Sequence, residues 1–210
     1  MTARPFFLVL SMYLVAACAA LPGGGGGGGS SLRHFLLTPL AADTPPLNPV
    51  PAPDYTFEVV QVTVPPYLNR TQIVTRPGPN ELYLSETHQW GDALPDNLTR
   101  TLAANLAHLL ANDRIFPRSP LLPIPAHYRL VTEVDRFDQD ADGSVVLALF
   151  WRLFPGNDMT PLTERRALWR SAPVAGTDYG ALVAAMSRLW GDYSQGVARE
   201  VARLSTTARR

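Results

Sequence analysis

Seven consecutive glycines, Gly23 to Gly29, followed by Ser30 and Ser31, divide the chain before any fold can be assigned. A residue without a side chain buries nothing, so this run reads as a flexible tether. Whatever folds must lie after it, in a stretch that begins near Arg33 and is long enough for one domain. With 46% apolar and 17% charged residues, the chain can build a core. It lacks the low hydrophobicity and high net charge of a disordered segment.

What precedes the tether sets the compartment. Arg4 supplies a short positive segment, and Phe6 to Ala17 is a 12-residue run without charge. That is too short for the ~30 Å hydrocarbon core, which takes about 20 residues, and it has the form of a secretory signal. Leu14-Val15-Ala16-Ala17-Cys18 then resembles a bacterial lipobox: an apolar residue, small residues, and a cysteine whose thiol takes the lipid. Cys18 is the only cysteine of the chain. An ordinary signal peptide that happens to carry a buried cysteine is the alternative. The expected organisation is a signal peptide over 1–17, a lipidated Cys18 with its tether over 18–32, a folded domain over 33–204 and a tail over 205–210. Ala19, where an Asp would favour inner-membrane retention, points to an outer-membrane lipoprotein facing the periplasm.

Periodicity predicts the elements of the domain. His34 to Leu37, Phe57 to Val64, Thr71 to Arg76 and Glu81 to Leu84 read as strands, the last two parted by a Pro77-Gly78-Pro79-Asn80 turn. Prolines between Pro39 and Pro53, and again from Pro117 to Pro125, mark loops. Leu94, Leu98, Leu102, Leu106 and Leu110 step by four and predict a helix over 93–111, with Pro95 near its start. Tyr128 to Phe137 places Leu130, Thr132 and Val134 on one face. Val145 to Phe154 is apolar on both faces and reads as a central strand. Thr163 to Ser171 is a third strand, and Thr177 can cap a last helix running to about Leu204. The expected fold is a single-domain α/β or α+β layered fold, a mixed β-sheet with two long helices packed on it.

Composition and motifs exclude most chemistries. Eighteen basic residues, all Arg, balance eighteen acidic ones, so the chain lacks the footprint of a nucleic-acid binder. One cysteine excludes a disulfide framework and a Cys-rich zinc site. His34, His88, His108 and His127 lie on different elements and read as surface or packing residues. Gly-x-Ser-x-Gly and His-Glu-x-x-His are absent, so no catalytic residue, metal or cofactor is expected. Asp138-Gln139-Asp140-Ala141-Asp142-Gly143 opens like a calcium loop, but its twelfth position is Leu149 instead of Glu. It reads as a hairpin turn in which Gly143 supplies positive φ.

One stretch rises above this background. Val64-Pro65-Pro66-Tyr67-Leu68-Asn69-Arg70-Thr71-Gln72-Ile73-Val74-Thr75-Arg76 is followed by Asn80-Glu81-Leu82 and by Trp90. Further on come Asn105-Leu106, Tyr128-Arg129-Leu130, Arg136-Phe137-Asp138, Gly143, Trp151 and Tyr179. Over roughly residues 33 to 204 the chain resembles the auxiliary lipoproteins of ABC-type lipid transport systems, the paraquat-inducible protein C family. Val64, Asn69 and Thr71 depart from that family's Leu, Asp and Pro. The resemblance implies a non-enzymatic outer-membrane component of a mammalian-cell-entry (MCE) type transport complex. Its expected partners are a periplasmic MCE-domain protein and further copies of itself. A lipid-tethered lipid-binding shuttle or a periplasmic hydrolase is the alternative. Tyr67, Leu68, Arg70 and Arg76 are the candidate partner-binding residues, since Tyr and Arg are enriched at interface hot spots and paired prolines lessen the entropy lost on docking. In an extended strand Arg70 and Arg76 would share a face. Leu68, Ile73 and Val74 equally suit the core.

Overall fold

The computed structural model describes residues 31–47, 55–119, 121, 124–156 and 158–207. Leu32–Arg210 is one compact unit, separate from Met1–Ser31. The elements in order are β1 (Arg33–Phe35), β2 (Phe57–Val59), β3 (Gln72–Gly78), β4 (Glu81–Trp90), α1 (Leu94–Leu110), β5 (Ile115–Pro117), β6 (Tyr128–Gln139), β7 (Val145–Pro155), β8 (Thr163–Arg170) and α2 (Tyr179–Thr207). This is an α+β fold: a mixed, curled sheet carrying two helices. Cys18 lies outside the described residues. Among the described residues no helix is long and apolar enough to cross a membrane.

β6 is the spine. One edge pairs antiparallel with β7 along its whole length, from Tyr128↔Pro155 to Gln139↔Val145, and β8 extends that meander. The other edge is shared by three segments in turn: β2 in parallel at Tyr128 to Leu130, a bridge from Thr63 to Glu133, and β3 in parallel at Gln139. β5 lies outside β2, and the β3–β4 hairpin carries β1 on its far side.

Burial follows the pleat. In β7, Val145, Leu147, Leu149, Trp151 and Leu153 enter the core under the helices. A register shift between Val134 and Arg136 in β6 resets the alternation. Leu130, Thr132 and Val134 before it and Phe137 after it therefore all face inward. The opposite face of β7 is apolar too and is covered by guanidinium groups. Arg152 and Arg166 lie 4.7 and 5.0 Å from the Phe150 ring, and Arg129 lies 5.7 Å from Phe154. That cover is why a strand apolar on both faces needs only one layer of helix.

The six leucines of α1 are at most 1% exposed. α2 packs beside them, with Trp190 Nε1 donating to the Leu98 carbonyl at 3.1 Å and Asn105 Nδ2 donating to Ser194 Oγ at 3.0 Å. Gly191 leaves room there for the Leu40 side chain, whose Cδ2 would lie 2.7 Å from a Cβ and would have to move. Tyr193 reaches Thr132 on β6 at 2.6 Å and so ties α2 to the spine.

Several sequence expectations shift. β2 ends at Val59 instead of Val64, because the chain then follows β6 only through the Val60 amide and the Thr63 bridge. β4 continues past Leu84 to Trp90. β5 occupies residues expected to lead into a proline loop. Its Pro117 is tolerated because β5 pairs only with β2, leaving the edge where a missing donor costs little. Helix α2 is capped by Asp178, not Thr177: the Asp178 carboxylate accepts from the Ala181 amide at 2.9 Å.

Candidate functional site

The residues that carry the motif stretch converge on one buried carboxylate. Asp138, near the end of β6, has a fully buried side chain. Three groups meet it. The Tyr67 hydroxyl donates to Oδ2 at 2.8 Å, Arg136 Nε donates to Oδ1 at 2.8 Å, and Arg76 Nη2 stands 3.6 Å from Oδ2. The Arg76 guanidinium also lies 5.5 Å from the Tyr67 ring centroid. An isolated carboxylate in such a place would cost several kcal/mol or surrender its charge, so this degree of partnering is what burial demands.

The charges continue outward with alternating sign. Arg136 Nη2 is 3.4 Å from Asp140, Arg170 is 2.8 Å from Asp140 and 2.7 Å from Asp142, and Arg170 Nη1 donates to Ser144 Oγ at 2.5 Å. The network therefore staples β3, the 66–71 loop, β6, the β6–β7 turn and β8. The turn itself is as the sequence predicts. The Asp140 amide bonds the Ser144 carbonyl at 2.7 Å, and Gly143 has φ 83°. A Cβ at Gly143 would also approach the Val174 carbonyl to 2.8 Å. Gln139 Nε2 braces the turn by donating to the Gly143 and Val174 carbonyls.

Titration follows this geometry. Burial, then the hydrogen bond and charge of Asp138, push the Tyr67 hydroxyl up to about 12, with Arg76 acting in the opposite sense. The Ala141 amide, with Arg170 and Arg136 behind it, holds Asp140 below the ordinary carboxylate range. The Ser144 hydroxyl and amide do the same for Asp142. The three aspartates are thus held by Arg, Tyr and Ser, and among the described residues no group of three His, Cys, Asp or Glu converges on a point where a metal could sit.

The loop before β3 is fixed by the same network. Leu68 is only 2% exposed and plugs the core beneath the turn, whose amides of Leu68 and Asn69 bond back to the carbonyls of Pro65 and Pro66. Tyr67 is half-buried against Asp138. Pro66, Asn69 and Arg70 are left exposed. Two expectations change. Arg70 precedes β3, and the register breaks between Gln72 and Val74, so Arg70 and Arg76 do not share the face of one extended strand. Leu68 belongs to the core, and Arg76 is engaged within the chain. The role of Asp138 was not visible in its local sequence, which reads as a turn. Its partner Tyr67 lies 71 residues away, and only the motif pieces around Tyr67, Arg76 and Arg136 signal the association.

Two of the histidines are held by neighbouring groups. His88 stacks on Tyr179 at 4.0 Å between ring centroids, and its Nδ1 lies 3.1 Å from the buried Ser85 Oγ, which also accepts the His88 amide. His127 Nδ1 accepts the Thr56 amide at 3.0 Å.

No curated protein sequence matches the chain. Among solved structures, an uncharacterized protein superposes with a TM-score of 0.64 at 23% identity, over 81% of this chain and 99% of that one. Protein XCC0632 from Xanthomonas campestris, of the DUF330 family, superposes with a TM-score of 0.66 at 18% identity, over 86% and 98%. At such identities the likeness establishes the fold. The family comes from the sequence match, which runs over residues 35–198 and takes in both Tyr67 and Asp138. The chain belongs to the family of ABC-type transport auxiliary lipoprotein components.

Proposed function

We propose that this lipoprotein is a non-enzymatic component of an MCE-type lipid transport system, anchored through Cys18 in the outer membrane and facing the periplasm. It holds the periplasmic MCE-domain protein at that membrane, acting as a homo-oligomer. The observation that carries this reading is the loop locked by Asp138. A loop fixed from below by Tyr67 and Leu68 presents Pro66, Asn69 and Arg70 outward with little entropy left to lose. That is the property a docking surface needs, and the loop lies within the segment that matches a transport auxiliary family. The lipobox and glycine tether support the anchored placement.

The test separates docking from folding. Envelopes solubilised in detergent are passed over the tagged full chain, and the retained proteins are identified by mass spectrometry. The parent chain should retain an MCE-domain protein. Arg70→Ala, an exposed substitution, should fold normally and weaken that retention, by about 2 kcal/mol if Arg70 is a hot spot. Unchanged retention and oligomer mass in the folded variant would remove this loop from the interface.

A further inference from the structure

We propose that the free edge of β8 pairs antiparallel with β8 of a second copy of the chain, about a two-fold axis at Ala167. β8 bonds β7 on one side, and on the other it meets no strand among the described residues. The other outermost strands, β1 and β5, are three residues each, and β5 ends on proline. β8 has eight residues, no proline and no register shift against β7. Shortness, proline and bulges are common guards of an open edge, and β8 has none of the three. The Ser171 amide bonds the Val145 carbonyl, so along the ladder the amides of residues 165, 167 and 169 turn toward β7. Those of Glu164, Arg166, Leu168 and Arg170 point outward as an unused row of donors and acceptors. Leu168, a large apolar side chain in that row, is 68% exposed.

The order of side chains selects a second copy as the occupant. A two-fold axis normal to the sheet keeps outer-face residues opposite outer-face residues. With the axis at Ala167, Glu164 lies opposite Arg170 of the second copy, Arg165 opposite its Trp169, and Arg166 opposite its Leu168, each pair occurring twice. An acid meets a base, a guanidinium meets an indole, and an Arg stem meets a leucine. Glu164 has no ion-pair partner among the described residues, and this register supplies one. The two Leu168 side chains become diagonal neighbours about 7–8 Å apart, so both lose exposure. Moving the axis to Arg166 or to Leu168 sets Arg opposite Arg, and axes farther out pair a shorter stretch. The backbone agrees: Arg166 and Leu168, whose amides point outward, form the hydrogen-bonded pairs, and Ala167 falls at a non-hydrogen-bonded one. The inner face leaves room as well. A cleft of about 380 Å³ lies between β8 and α2, bounded by Ala167, Trp169 and Gly196, and a Cβ at Gly196 would meet nothing within 4 Å. The helix therefore does not close over the edge, and the inner row of a second strand can enter. The pairing names a contact within the homo-oligomer proposed above and rests on that part of the reading.

The test uses the full chain in detergent, carrying Ala167→Cys. A non-hydrogen-bonded antiparallel pair brings its Cα atoms to about 4.5 Å, within disulfide range. Mild oxidation should link two copies, and mass spectrometry should find the peptide containing residue 167 joined to itself. Without that cysteine, Glu164→Arg sets Arg opposite Arg170 twice and should weaken association about tenfold in analytical ultracentrifugation. Leu168→Pro removes an outward amide while sparing the ladder to β7, and should weaken it as much. Melting temperatures check that both variants fold. Glu164→Gln, which should weaken association by a smaller factor, keeps the test decisive if either disturbs folding. A chain that stays monomeric at every concentration would overturn the pairing together with the homo-oligomer. A homo-oligomer that forms no 167–167 link and ignores all three substitutions would overturn the pairing alone. The 167–167 link in a chain that retains no MCE-domain protein would support the pairing and count against the docking reading.

Discussion

Asp138 shows what a single buried charge asks of its neighbours. Its three partners come from three segments, and losing the carboxylate would leave Arg76 without its counter-charge and Arg136 with Asp140 alone. Asp138→Ala should therefore cost about 3–5 kcal/mol, read as a lower midpoint in urea denaturation. Tyr67→Phe removes one hydrogen bond to a charged group, worth about 1.5–3 kcal/mol. Its effect also depends on pH. The folded chain keeps the Tyr67 proton up to about 12, whereas the unfolded chain releases it near 10. Across that window the unfolded state binds fewer protons, so the stability due to Tyr67 is fully present below pH ~10 and is lost as pH rises toward ~12. Burial raises Tyr55 and Tyr193 as well, so the alkaline decline should become shallower in Tyr67→Phe without vanishing. A melting series from pH 9 to 12 with the same slope in parent and variant would contradict this.

At the scale of elements, the start of α2 offers a clean comparison. Asp178 accepts the Ala181 amide and Thr177, next to it, is exposed. Asp178→Ala should cost about 0.5–2 kcal/mol, the usual worth of a cap. Thr177→Ala should stay within about 0.5 kcal/mol. Thermal denaturation of the pair decides between them. Choosing Thr177 from sequence was natural because both residues are good caps one position apart, and only the backbone fixes where the helix begins. α1 was legible because its leucines repeat on one face, and β7 because an unbroken apolar run has few other uses. β5 was not, since three residues ending in proline carry no period. The reach of β4 to Trp90 was hidden by its polar residues Glu86, Thr87, His88 and Gln89, which sit in a strand that is only half covered. For the candidate site, the stretch around Tyr67 was legible as a motif. Its meaning was not: the sequence places Arg70 and Arg76 on one strand, while the fold spends Arg76 on Asp138 and leaves Arg70 in the turn.

At the scale of the whole molecule, residues 1–31 and the domain from Leu32 onward are two units. If Cys18 carries the lipid, Cys18→Ser should move the protein from the membrane fraction to the soluble periplasm, and intact-mass measurement of the parent should show acyl chains on an amino-terminal Cys18. Two or three chains exceed the single one that binds only marginally. The shared edge of β6 has a consequence for the order in which the domain assembles. The meander of β6, β7 and β8 closes short loops, whereas β2 and β3 meet β6 across separations such as the 71 residues between Tyr67 and Asp138. Long closures cost more entropy and come later. The segments made first during synthesis therefore wait for the spine made after them, and pulse-labelled hydrogen exchange should find amides of β6 to β8 protected before those of β2 and β3. Until β6 has emerged, the β3–β4 hairpin with β1 and the β2–β5 pair can form but nothing joins them, and the edges of β2 and β3 that β6 will cover stay open to whatever else in the compartment offers a strand.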